Sequence, residues 1–210
     1  STPLQRLHYK TDLRLFCRLA VKRASVVTAV SQFTADMVRD DLGFDGLIEV
    51  IPNGIDETFF HPAAKRPERE VVRVLFSGNP TLRKGADVLS SVAVKLNSNV
   101  EILVTSGLRG GGIEEGQRLR AIGKIAPKKM PDLYRDVDIV FLPTVREGLS
   151  RAALEAMSSG LPVITTDASS MPELIHDGKG GFICSIGDID GFATAIDKLA
   201  ADPDLRSEMG

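Results

Sequence analysis

Short apolar runs of strand length alternate with helix-period segments along most of the chain, and this alternation constrains the fold more than any other feature. The runs are SVVTAV (25–30), LIEVI (47–51), VVRVLFS (71–77), VEILVTS (100–106), DIVFLP (138–143) and PVITT (162–166). Helical patterns lie among them at 32–42, 85–97, 130–137, 150–159 and 188–201. Strands that are apolar throughout are buried on both faces, and strands separated by helices pair in parallel. The pattern predicts an α/β fold, a Rossmann-like doubly wound parallel sheet. Such folds bind ligands outside the carboxyl ends of their strands.

One composition break interrupts the order. HPAAKRPERE (61–70) is rich in proline and charge between apolar segments and reads as a linker. Beyond it, residues 71–210 carry the last four of these runs and one strand more, five expected strands with their helices, enough for one complete Rossmann-like domain. Residues 1–60 carry two strands and two helices and read as the C-terminal remnant of a preceding domain. The chain opens on Ser1 and stops at RSEMG, where a helix is barely finished, so a fragment is expected.

Composition excludes several classes. At 210 residues and 43% hydrophobic content the chain can bury a proper core. The formal charge is −2 and the basic residues are dispersed, which speaks against bulk electrostatic binding of nucleic acid. Any anion must therefore be held locally. Cys17 and Cys184 lie far apart without a CxxC or metal-ligand spacing, which fits a reducing, cytoplasmic setting. No apolar run approaches the roughly 18 residues of a membrane span, and there is no signal-peptide pattern.

The familiar nucleotide signatures fail. No GxGxxG follows the strand at 71–77, and SGNPTLRKGAD (77–87) lacks the GxxxxGK[ST] spacing of a P-loop. The glycine-rich stretch GLRGGGIEEG (107–116) reads as a surface loop or as a ligand-gripping one. Arg83-Lys84-Gly85 is expected to open a helix, where two cations oppose the macrodipole at a cost of up to about 1 kcal/mol each unless an anion sits there too. A solvated basic pair is one reading of that conflict; a phosphate site is the other.

VREGLSRAALEAMSSG (145–160) offers the richest pattern. Ser150 is a plausible N-cap and Gly160 the stop of a helix whose Arg151, Glu155 and Ser158/Ser159 share one stripe. Glu155 is then an exposed partner of Arg151, worth roughly 0.3 kcal/mol, or it faces a ligand. In the second case Glu147 and Glu155 grip different parts of one elongated molecule, since carboxylates accept hydrogen bonds from the hydroxyls of a sugar or ribose. Two DxD pairs, Asp136-Val137-Asp138 and Asp188-Ile189-Asp190, read as a strand lead-in and a helix cap rather than as metal ligands. His8, His61 and His176 are isolated, with neither triad nor zinc spacing.

Taken together, ASVVTAVSQFTADMV and IEVIPNGIDETFF (within 24–60), FSGNPTLRKGADVL (76–89) and MPDLYRDVDIVFLPTVREGLSRAALEAMSSGLPVITTDASSMPELIHDGKGGFI (130–183) resemble the retaining glycosyltransferases of family 4. The resemblance runs nearly end to end and centres on the E-x7-E spacing of Glu147 and Glu155. It implies the two-domain GT-B fold, with this chain supplying the C-terminal, donor-binding half. It also implies transfer of a sugar, with retention, from a nucleotide-diphosphate sugar to a glycan, lipid or small-molecule acceptor. By the same resemblance Glu147 and Lys84 are the catalytic pair: Glu147 contacts donor-sugar hydroxyls and Lys84 neutralises the leaving diphosphate. Glu155 binds the ribose. Gly78, Asn79, Arg83, Gly148, Leu149, Ser150 and Arg151 surround the sugar and diphosphate, and the backbone near Ile125 approaches the base. No metal and no cofactor beyond the donor substrate are implied, and no nucleic acid partner. Peripheral contact with the inner membrane face would come through the absent domain. Asn79 stands where the family usually has a basic residue, so half of the cationic clamp is missing or is supplied by Arg83. A GT-B epimerase acting on the sugar nucleotide, or a non-catalytic nucleotide-sugar-binding module, is the alternative.

Overall fold

The computed structural model describes residues 12–67, 69–106, 116 and 118–210. The glycine-rich stretch lies almost wholly outside them, as does His8. The chain divides into two compact units, one ending at Asn53 and the other running Gly54–Gly210.

In the first unit, helix α1 (Asp12–Arg23) precedes strand β1 (Val27–Ala29), helix α2 (Gln32–Leu42) and strand β2 (Ile48–Val50). The two strands pair in parallel. Ser31 caps α2, its Oγ accepting from Thr34 N at 3.1 Å, and Gly43 ends it in the left-handed conformation with φ 61°. A small apolar cluster of Ala29, Ala35 and Ile48 forms its centre.

The second unit holds a six-stranded, wholly parallel sheet: β3 (Val72–Phe76), β4 (Val100–Thr105), β5 (Leu119–Gly123), β6 (Ile139–Leu142), β7 (Val163–Thr166) and β8 (Gly181–Cys184), in spatial order β5-β4-β3-β6-β7-β8. This is the doubly wound Rossmann order, with the chain's direction of winding reversing between β3 and β6. Helices α3 (Leu89–Lys95), α4 (Met130–Arg135), α5 (Arg151–Ser158), α6 (Met171–Leu174), α7 (Ile189–Ala201) and α8 (Pro203–Met209) accompany the strands. One core cluster gathers Val74, Phe76, Ile102, Val104, Ile139 and Phe141 under α3 and α7; the other gathers Leu75, Leu103, Val140, Leu142 and Val163 under α4, α5 and α6. Strand residues alternate between the two clusters, as a sheet covered on both faces requires.

Three expectations change here. The helix read over 85–97 begins only at Leu89, because two short 3-10 turns, Leu82–Lys84 and Ala86–Val88, precede it with left-handed Gly85 (φ 72°) between them. Arg83 and Lys84 thus sit on a turn rather than at an α-helix start, and the macrodipole conflict disappears. The stretch 61–70 is not a free linker: Arg66 donates to Val137 O at 2.7 Å, Ser159 O at 2.9 Å and Gly160 O at 2.8 Å. Its charges serve the second unit, whose boundary lies earlier, at Gly54. The second unit also has six strands rather than five, with β5 and β8 on its two edges. Among the described residues no helix is long and apolar enough to cross a membrane.

Candidate active site at the carboxyl ends of β3 and β6

β3 and β6 are neighbours, with Val74 beside Ile139 and Leu75 beside Val140. Their carboxyl ends therefore deliver two loops to the same place, the point where a doubly wound sheet opens its crevice. Gly85 lets the loops touch. A Cβ there would lie 1.9 Å from Pro143 O, and the positive φ also favours glycine. Val145 N donates to Arg83 O at 2.9 Å, and Arg83 Nη1 donates to Arg146 O at 2.8 Å. Thr144 Oγ1 lies 3.1 Å from Arg83 O and 3.3 Å from Glu147 Oε1, so its proton serves one of the two.

These bonds bring the expected catalytic pair together. Lys84 Nζ forms an ion pair with Glu147 Oε1, and Arg83 Nη1 lies 3.4 Å from the same oxygen. Glu147 is 11% exposed and Lys84 18%, so the pair is largely desolvated, whereas Arg83 is 57% exposed. Two cations against one carboxylate leave a local surplus of one positive charge. The loop after β7 fastens the glutamate from behind: Glu147 N donates to Ser169 Oγ at 3.2 Å and Ser170 Oγ donates to Glu147 O at 3.4 Å. Ser169 holds φ 58°, a left-handed conformation that costs a non-glycine residue of order 1 kcal/mol or more and that clusters at functional sites.

Glu155 lies within α5, whose first turn is capped by buried Ser150, its Oγ accepting from Ala153 N at 3.4 Å. Ala153 and Ala156 face the core. The Arg151 pair expected from helix spacing exists, at 3.8 Å, yet Glu155 is only 14% exposed while Arg151 is 75% exposed. The reading of Glu155 as a surface partner therefore fails. Tyr134 Oη donates to Glu155 Oε2 at 3.0 Å, and burial lifts the carboxyl above its ordinary range, with the Tyr134 hydrogen bond and the Arg151 charge pulling it back. Glu155 and Arg151 line a pocket of about 260 Å³ with Gly54, Phe59, Pro127 and Met130.

The remaining sequence candidates distribute around this centre. Gly78 lies two residues past β3 with φ 134°, its N–H donating to Thr105 Oγ1 at 2.7 Å, and Asn79 follows it. Gly148, Leu149, Ser150 and Arg151 form the link from Glu147 into α5, with Leu149 and Ser150 buried. Ile125 is half-buried just past β5, at the sheet edge and two strands from β3. Asp136 and Asp138 lie at the opposite, amino end of β6, where Asp136 pairs with Arg69 and Arg73 and Asp138 accepts from Arg73 N at 2.9 Å. Asp188 caps α7 through Gly191 N at 2.9 Å. Sequence reasoning missed Ser77, Tyr134, Thr144, Ser169 and Ser170.

Residues 71–202 match the family model described as glycosyl transferases group 1, and residues 2–59 match the one described as glycosyltransferase family 4. The chain belongs to the group 1 glycosyl transferases. A D-inositol 3-phosphate glycosyltransferase of Corynebacterium jeikeium is 30% identical over 191 residues, covering 78% of this chain and 46% of that protein. HepE of Anabaena, solved in complex with UDP-glucose, matches with a TM-score of 0.80 at 24% identity, over 95% of this chain and 60% of HepE. The C-terminal domain of a glycosyl transferase group 1 family protein from Francisella tularensis matches with a TM-score of 0.63 at 26% identity, over 74% of this chain and 92% of that one. The group 1 chain thus spans about half the length of the curated relatives it matches.

Proposed function

We propose that the crevice at the carboxyl ends of β3 and β6 holds the diphosphate and sugar of a nucleotide-diphosphate sugar, and that the whole enzyme transfers this sugar to an acceptor with retention. The observation that carries the reading is the Lys84, Arg83 and Glu147 cluster at the point where the winding of the sheet reverses. Breaking the glycosidic bond to a diphosphate builds charge on the β-phosphate while the sugar becomes oxocarbenium-like. Cations already fixed where that charge grows stabilise it without reorganisation, and the surplus positive charge of the cluster fits that task without a metal or cofactor. Glu147, pinned through its backbone by Ser169 and Ser170, presents a carboxylate to donor-sugar hydroxyls. The backbone of Gly148, Leu149, Ser150 and Arg151 lies between sugar and diphosphate, Gly78 and Asn79 bound the crevice from β3, and Ile125 marks the approach of the base. Glu155 accepts from ribose hydroxyls.

In this reading Gly54–Gly210 is the donor-binding domain and the first unit is the last part of an acceptor domain, in a protein working in the cytoplasm. The large apolar side chains that unit leaves in solvent, Phe16 at 68% and Leu47 at 87% exposed, support it. UDP-glucose bound to HepE supports a nucleotide-sugar donor. Titration of UDP and GDP into the chain, followed by calorimetry, tests the site: at least one binds, and Lys84→Ala weakens it about tenfold or more, the range of a lost hydrogen bond to a charged group. Failure of both nucleotides to bind contradicts the reading. The anomeric configuration of the product made by the whole enzyme, read by NMR, tests retention.

A further inference from the structure

We infer that Tyr134 is a positioning residue for the nucleotide: its hydroxyl occupies Oε2 of Glu155 and so commits Oε1 to a ligand hydroxyl in the pocket beside α5. This inference rests on the reading of Glu155 as the ribose acceptor and goes beyond it by naming the residue that prepares it.

Tyr134 is fully buried, its ring packed edge-on against Phe60 with centroids 5.9 Å apart. A phenylalanine would fill that space, so the hydroxyl is not there for volume. Buried hydroxyls need partners, and this one finds all of its partners at the carboxyl end of the sheet. Its oxygen lies 3.1 Å from Ser77 Oγ, at the end of β3, 3.0 Å from Glu155 Oε2 and 3.4 Å from Ala152 O. A phenol has one proton to give, and an ionised carboxylate is the strongest acceptor of the three. Ser77 can then donate to the phenol oxygen, making a relay from β3 through Tyr134 to α5, each bond polarising the next.

A hydroxyl satisfied in the core would be the plainer account. What sets Tyr134 apart is the imbalance of the carboxylate that it holds. Glu155 is 14% exposed, and its second oxygen has Arg151 at 3.8 Å, on a side chain 75% exposed. A carboxylate so nearly buried needs two or three good donors; Tyr134 is one, and the pocket of about 260 Å³ lined by Glu155 is where the others would arrive. The charged and titratable groups around it are Arg151 on its own helix, Tyr134 from α4 and Asp56 across the pocket. Asp56 is held below the ordinary carboxylate range by Thr58, whose hydroxyl and N–H both donate to it. Burial raises Glu155 and the Tyr134 bond lowers it, so losing the hydroxyl leaves the carboxylate protonated to a higher pH, and a protonated carboxyl is a poorer acceptor.

The test measures affinity for UDP-glucose and GDP-mannose, whose diester diphosphates do not titrate between pH 5 and 9, across that range for the wild-type chain, Tyr134→Phe, Ser77→Ala and Glu155→Gln. Tyr134→Phe is expected to match the wild type within about twofold at the alkaline end and to fall about tenfold below it near the acid end, its acid limb displaced to higher pH. Ser77→Ala shows a smaller displacement in the same direction, and this second variant carries the test if Tyr134→Phe proves unfolded by circular dichroism. Glu155→Gln loses about tenfold or more at every pH and loses the limb. An equal loss at every pH in Tyr134→Phe, or an unmoved limb in both hydroxyl variants, overturns the role of Tyr134. Wild-type affinity in Glu155→Gln, or no binding of either sugar nucleotide by the wild type, overturns instead the reading of Glu155 or of the site.

Discussion

The two ends of the six-stranded sheet both gather charge, and they use it differently. At the amino end, Arg66 is spent on three backbone carbonyls beyond β6's lead-in and α5's end, and Arg206 donates to Leu199 O and Ala200 O near the end of α7. Arg69 and Arg73 pair with Asp136, and Asp138 accepts a backbone N–H. At the carboxyl end, Lys84 and Arg83 converge on a single side chain, Glu147, and keep a positive surplus at the mouth of the crevice. The amino end also has the roomier cavity, about 690 Å³ against about 260 Å³ beside Glu155. On the proposed reading neither volume nor cation count marks the site. What the charged groups bond to does: cations that cap backbone carbonyls hold the fold, whereas cations that meet one carboxylate over a crevice are available to a ligand.

Substitutions at the two ends should separate activity from stability. Lys84→Ala in the whole enzyme is expected to lower kcat about 10²-fold, roughly 3 kcal/mol of transition-state stabilisation, by analogy with a lost oxyanion donor. Steady-state kinetics at saturating donor checks this, and an unchanged kcat breaks the comparison at its carboxyl end. Arg66→Ala should do the reverse. Leaving three carbonyls without their donor costs about 2 to 3 kcal/mol, read as a lower urea midpoint, while nucleotide affinity of the folded protein stays within about twofold. Gly85→Ala joins the two effects. The added Cβ meets Pro143 O in a left-handed backbone, which costs about 2 kcal/mol and pries the Lys84 loop from the Glu147 loop. Both the melting temperature and nucleotide affinity should fall.

The smallest effect concerns Glu155. Burial raises its folded-state pKa, so its favourable contribution is complete below the ordinary carboxylate range and is lost as pH rises through the raised value. Glu155→Gln escapes that loss. Its melting temperature relative to the wild type should therefore climb between acid and neutral pH, by a few degrees at most for a domain of this size. A difference that stays flat with pH would show that the carboxylate is better compensated in the free protein than its single close donor implies.

Much of this was legible in the residues, for reasons that differ from element to element. α2 spans the range its periodicity predicts, because Ser31 and Gly43 punctuate it at both ends. β3, β4, β6 and β7 announce themselves as largely apolar runs, interrupted by Arg73 and Glu101 near the starts of β3 and β4, because most residues on both of their faces are buried. β5 and β8 are edge strands: LRAIG carries exposed Arg120 and Ala121 and has no continuous apolar signal, while GFIC is a short run of four residues directly behind the glycines of DGKG. The segment 61–70 misleads because proline and charge are also what a capping strap requires. At the site, Glu147, Glu155 and Lys84 could be read from local spacing and family resemblance. Tyr134 could not, since its role comes from meeting Ser77 and Glu155 across 57 and 21 residues of sequence, a contact that no local period encodes.

The location of a bound diphosphate tests the central claim most directly. In a crystal of this chain grown with UDP or GDP, the β-phosphate should lie beside Lys84 and Arg83 at the carboxyl ends of β3 and β6, with the ribose hydroxyls within hydrogen-bonding distance of Glu155. Electron density for the diphosphate among Arg66, Arg69 and Arg206, at the amino end of the sheet, would contradict it.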